Sequence, residues 1–250
     1  LFEGGGVTAL IDWELSHVGD PMEDIGGICG RGTWTPFGNL ATYLREYEQH
    51  SGLEIQRDSV RYYMLVQFMR AVVGEFVALE GFDPSTDVTL NTMSLVLGMR
   101  GMHQIMAKAA GLPAAEPRAL PPAAGSAVGP YFQVLAHNIE SMLTPELEDP
   151  YLAHRARQLA TLARCLDRSS TLGAAFEVEE QDDIAQLLGR RPGTLAKAEA
   201  ELCDHIRARA AGTEQELIAY LGRRCERKAA LWAPALGPLY DNPLGLPEEL

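Results

Sequence analysis

The chain has 250 residues and a net charge of −13, with 46% hydrophobic and 22% charged residues. That length buries a substantial core and holds one or two domains. The acidic balance argues against non-specific binding to nucleic acid or to an anionic membrane, because both need a basic surface, and no uninterrupted apolar run approaches the ~18 residues of a membrane span. Cys29, Cys165, Cys203 and Cys225 are widely spaced, with no CxxC pair. They read as free, buried thiols of a reducing, cytoplasmic environment.

In chain order, Leu1-Phe2, a Glu-Gly-Gly-Gly turn and the short apolar run Val7 to Ile11 predict a β-hairpin whose second strand is buried. Asp12 stands where that strand ends. A carboxylate held there suits a hard cation, although an acid closing a strand is as readily explained as a cap for the next turn. Asp20-Pro21 then starts a helix running towards Cys29, with Glu23 placed to answer the cap. Gly30 to Gly38 reads as a loop. Amphipathic helices are predicted from Asn39 to His50, Asp58 to Glu80 and Thr89 to Ala110. Ala114 to Pro130, rich in Pro, Ala and Gly, is the best linker candidate. Helices then follow at Tyr131 to Met142, Pro150 to Leu166, Gln181 to Leu188, Thr194 to Ala210 and Thr213 to Leu231. The tail, Pro234 to Leu250, holds several prolines and is expected to lie loosely on the surface.

The residues Ile11-Asp12-Trp13-Glu14, Gly19-Asp20-Pro21 and Glu23-Asp24-Ile25 resemble the metal-binding segment of aminoglycoside-phosphotransferase-like kinases, which share a protein-kinase-like fold. Within that group they resemble the branch of hydroxyacyl-CoA phosphotransferases associated with acyl-CoA dehydrogenases. The resemblance is specific from Leu1 to about Gly27 and fades beyond Leu112. It implies an α+β, mostly α fold. Residues 1–112 would form the C-lobe part of the kinase-like domain, 113–130 a linker, 131–233 a helical bundle and 234–250 a Pro-rich tail. It implies ATP- and Mg²⁺-dependent phosphorylation of a small-molecule hydroxyl, with a hydroxyacyl-CoA or hydroxy acid favoured over an aminoglycoside. The partner state it implies is a homodimer, or association with an acyl-CoA dehydrogenase.

The resemblance places Asp12 at the metal-binding Asp of the protein-kinase Asp-Phe-Gly motif. Asp20, Asp24, Trp13 and Glu14 would brace that residue, with Trp13 packing the turn onto the core. His17 reads as a locally bonded loop histidine. Arg70, Arg100 and His103 on the long helices are candidates for the substrate's anionic groups, against the plainer reading of exposed or paired side chains. The arginines of the C-terminal helices, among them Arg155, Arg164, Arg224 and Arg227, read as solvated helix faces balanced by nearby Glu and Asp, against the alternative of a partner surface. The His-Gly-Asp loop that supplies the family's catalytic base is absent from the 250 residues. The chain therefore reads as a fragment, inactive alone, and the competing expectation is a non-catalytic helical remnant or protein-interaction module.

Overall fold

The computed structural model describes residues 1–13, 16–34, 38–81, 83–117, 119–208 and 214–241, with only the backbone of Trp34. Glu14 and the tail from 242 onward lie outside the described residues. The architecture is mostly helical with one small sheet, as the sequence predicts.

Strands β1 (Phe2–Glu3) and β2 (Gly6–Val7) pair antiparallel, with Phe2 opposite Val7 and Glu3 opposite Gly6. Gly4 and Gly5 both take positive φ, at 58° and 83°. A two-residue hairpin turn of this hand requires that of both central residues, and glycine supplies it without a Cβ clash. The second strand is shorter than predicted and it is not buried. Val7, Leu10 and Ile11 are all exposed, because no described element packs over the hairpin.

Helix α1 (Met22–Trp34) runs through the stretch expected to be a loop. Its glycines do not break it, and Gly26 is a close-packing position. A Cβ on Gly26 would sit 2.8 Å from Cβ of Tyr63, so only glycine lets α1 approach its neighbour this closely. That neighbour is α3 (Arg57–Glu80), which also packs along α4 (Val88–Ala109). Between α1 and α3 runs α2 (Leu40–Ser51), started by Asn39, whose side chain accepts from the Thr42 amide at 3.0 Å. Met22, Ile25, Cys29, Leu44, Val60, Met64, Phe68 and Ile105 form the core these helices share. On length and composition alone α3 would cross a membrane, with mean hydropathy 1.3. Its Val60, Met64 and Phe68 are buried in this core, whereas Met69, Val73, Phe76 and Val77 are exposed.

After the irregular stretch come α5 (Gly129–Asn138), a π turn (Ile139–Leu143) and a 3₁₀ turn (Thr144–Glu146). Next is one 39-residue helix, α6 (Pro150–Leu188), where two were predicted. Asp149 caps it, accepting from the Tyr151 amide at 2.7 Å. Helices α7 (Leu195–Arg207) and α8 (Glu214–Leu231) pack back onto α6. The first part of the expected loose tail is ordered into α9 (Ala233–Leu236) and α10 (Pro238–Asp241). Leu236 anchors it in a core with Val96, Leu97 and Ala229. Helix α4 thus belongs to both ends of the chain, packing on α3 on one side and on α6, α8 and α9 on the other.

Candidate functional site

The site is a cleft of about 980 Å³ lined by residues 10–13 and 16–21 of the loop before α1, one face of α1, and Gln67 and Arg70 of α3. Asp12, Trp13, Asp20, Asp24 and Arg70 all line it. Asp12 is the only described residue other than glycine with positive φ, at 67°. The left-handed region costs an L-residue on the order of 1–3 kcal/mol, and Asp tolerates it better than most. Its exposed carboxylate makes no hydrogen bond or ion pair with any described residue.

Trp13 does not pack onto the core. Its side chain is 63% exposed, and the indole N–H donates to the Leu10 carbonyl at 2.8 Å. The apolar residues it would cover, Leu10 and Ile11, are themselves on the surface, so it fixes the turn through this bond alone. Ser16 Oγ closes the same turn by donating to the Trp13 carbonyl at 2.6 Å.

Asp20 starts α1 through its side chain, with Oδ1 accepting from the Met22 amide at 2.9 Å. The bracing contact expected of Asp24 is made by Glu23 instead. Glu23 Oε1 accepts from Arg70 Nη1 at 2.7 Å, and its Oε2 lies 3.0 Å from His17 Nε2. The Arg70 hydrogen bond holds the Glu23 carboxyl below its ordinary range, and His17 adds to this. One carboxylate therefore ties α1, α3 and the loop together. Asp24 points into the cleft without a partner among the described residues, as does Arg31.

Two predicted substrate residues lie elsewhere. Arg100 is 2% exposed and forms a two-pronged ion pair with Glu226 of α8, Nε to Oε1 at 2.9 Å and Nη2 to Oε2 at 2.6 Å. It also donates to the Leu239 carbonyl at 2.9 Å and stacks over Tyr240. Each of its three nitrogens donates within the fold, so Arg100 is an internal tie between α4 and the C-terminal helices and not a substrate residue. His103 is buried against α8, where a Cβ on Gly222 would overlap its ring. Desolvation lowers its pKa, opposed only in part by a hydrogen bond with the Ile218 backbone. Neither residue reaches the cleft.

Of the C-terminal arginines, Arg224 and Arg227 differ from the solvated, acid-balanced faces expected of them, whereas Arg164, Arg190, Arg191, Arg207 and Arg223 are exposed and paired with acids. Glu180 of α6 is buried and receives Tyr220 Oη, Arg224 Nη1 at 2.8 Å and Arg227 Nε at 2.8 Å. Arg227 also donates to Asp183 at 2.7 Å, and Arg224 to Glu199 at 2.7 Å. At the surface, Arg155 pairs with Asp87 and Arg164 with Glu140. No disulfide joins the four cysteines, and Cys203 is exposed where burial was expected. Burial pushes the Cys165 thiol up to about 11 and Cys225 up to about 12, so both stay protonated and inert at neutral pH.

Reading the sequence missed Glu23 and Arg31 as cleft residues. The signal was present: positions 23, 27 and 31 recur every four residues along one helical face. Two glycines obscured it by suggesting that the helix had ended.

Mg²⁺ is commonly held by one or two carboxylates together with substrate phosphates and water. The described residues contain no group of three side chains able to hold a metal by themselves. The unpaired carboxylates of Asp12 and Asp24, facing an open cleft, fit a cation shared with a nucleotide and do not fit a closed protein cage.

Two parts of the chain match known family models. Residues 1–63 match that of the phosphotransferase enzyme family, APH. Residues 145–236 match that of a domain of unknown function, DUF6285. No curated protein and no solved structure matches the chain. The first match takes in the hairpin, the cleft loop and α1, and ends inside α3, so the cleft is built largely from the phosphotransferase-like segment.

Proposed function

We propose that the cleft is the metal-binding part of a kinase-like phosphotransferase site, acting on ATP and a small-molecule alcohol. The observation that carries this reading is Asp12. It is held in a costly backbone conformation, faces the cleft, and has an unpaired carboxylate within the segment that matches the phosphotransferase family. Bound there with a nucleotide, Mg²⁺ would neutralise charge on the phosphate oxygens, which is most of what phosphoryl transfer asks of its surroundings. The chain's own residues position it. Asp20 and the Glu23–Arg70–His17 ties fix the loop, and the Trp13 bond sets the turn after Asp12. No described residue is assigned as catalytic base, so these 250 residues alone are expected to bind rather than turn over.

A hydroxyacyl-CoA or hydroxy acid remains the favoured acceptor. Arg31 and the solvent-facing side of Arg70 are the cations available to an anionic substrate in the cleft. A cytoplasmic protein, with an acyl-CoA dehydrogenase as associate, completes this reading. A second reading, a non-catalytic interaction module, draws on the lack of a complete metal cluster among the described residues. Thermal unfolding with and without Mg²⁺·ATP separates the two. The enzyme reading expects ligand to raise the midpoint of the wild-type chain and to leave Asp12→Ala unmoved. Equal shifts, or none in either protein, would refute the metal assignment.

A further inference from the structure

Helices α5 and α6 form an antiparallel pair whose seam is made of Ala136 and Ile139 against Ala156, Ala160 and Ala163. The two flanks of this seam differ. On one flank Gln133 donates to Asp167 at 3.1 Å, and Arg164 pairs with Glu140. Helical geometry fixes what lies on the other. At 100° per residue, positions 131 and 135 fall on the opposite side of Ala136 and Ile139 from positions 133 and 140. By the same count, positions 152, 159 and 166 fall on the opposite side of the α6 seam from Arg164. Because the helices are antiparallel and share the polar flank, these two sets share the other one. Tyr131, Leu135, Leu152, Leu159 and Leu166 therefore make one continuous apolar face, and each is exposed, Tyr131 by 73% and Leu159 by 52%.

We propose that this face is a dimer interface and that its occupant is the same face of a second copy of this chain. Three observations select that occupant. The leucines on α6 repeat every seven residues, the spacing that packs one helix along another helix of the same period, and the chain itself offers that partner. The five side chains expose roughly 500 Å² of mostly apolar surface, about the apolar share of the ~800 Å² that each partner buries in a standard interface. None of the five is charged, and the nearest flanking cation, Arg155, is already paired with Asp87. A chain of net charge −13 meets a copy of itself there without burying like charges. Two hairpins related by a two-fold axis then form a four-helix arrangement, with α6 against α6 or α5.

The test is the solution mass of the full chain by sedimentation equilibrium at micromolar concentration. The expected mass is twice 27.3 kDa. Leu159→Glu, at an exposed position, is expected to keep the helical circular-dichroism spectrum and weaken dimerisation by at least ~100-fold, because two copies would bury like charges. Mixing Leu159→Glu with Leu159→Lys chains restores the dimer if the face meets itself. A monomeric wild type, or a dimer that survives Leu159→Glu unchanged, overturns the proposal. So does a wild-type monomer that sediments with phosphatidylcholine vesicles through Leu159, which would assign the face to a lipid surface.

Discussion

The cleft and the C-terminal helices handle charge in opposite ways. Asp12 and Asp24 face open space without partners, while Glu180 and Glu226 are buried with nearly every oxygen bonded to an arginine or tyrosine. A buried carboxylate whose donors are all supplied has nothing left for a ligand. An unpaired carboxylate on a strained turn has everything left. Acid-rich sequence is common to both regions, and only the pairing separates a place for ligand from a structural tie.

Unpairing a buried acid is expected to have the largest effect. Arg100→Met strands Glu226 and is expected to cost about 3–5 kcal/mol in chemical denaturation. The double change Arg100→Met with Glu226→Leu is expected to recover most of that loss. A small effect of the single change would mean that the α4–α8 tie is not buried as described. Next is steric. A Cβ on Gly101 would lie 2.7 Å from the Phe68 ring, so Gly101→Ala is expected to cost about 1–3 kcal/mol by overpacking the α3–α4 contact.

The cleft gives a smaller effect. Removing the α1 cap with Asp20→Ala is expected to cost about 1 kcal/mol. An unchanged unfolding midpoint would contradict the capping role. The gentlest probe is pH. His103 has a lowered pKa in the folded chain, while the unfolded chain takes up its proton near the ordinary 6.5. Its contribution is therefore complete above that pH, falls as pH drops below it, and levels off beneath the folded value. His103→Gln should flatten this limb of the stability–pH curve. Identical curves would show that His103 is not the buried neutral group.

Much of the N-terminal third was legible in the sequence. The Gly4-Gly5 turn, the Asp20-Pro21 cap and the ends of α2 and α3 follow from local chemistry that a few adjacent residues decide. What was not legible depends on distant partners. Gly30 reads as the start of a loop until α1 is seen to run on through it, against Phe68 of α3. Arg100 reads as a free cation until Glu226, 126 positions away, is seen to meet it. The tail reads as loose until Leu236 and Tyr240 are seen docking on α4. The same limit applied to the cleft: Asp12 stood out by its position after a strand, whereas Glu23 acquired a role only through Arg70 on another helix.

On the proposed function, Asp12 is open to a metal–nucleotide while the buried acids are closed to it. Titration of Mn²⁺·ATP into the full chain, followed by the electron paramagnetic resonance of free Mn²⁺, tests this directly. The expected result is saturable binding that Asp12→Asn weakens by at least ~10-fold, the loss seen even for residues that only support a metal ligand. Binding that is equally strong in Asp12→Asn, or absent from the wild-type chain, would contradict it.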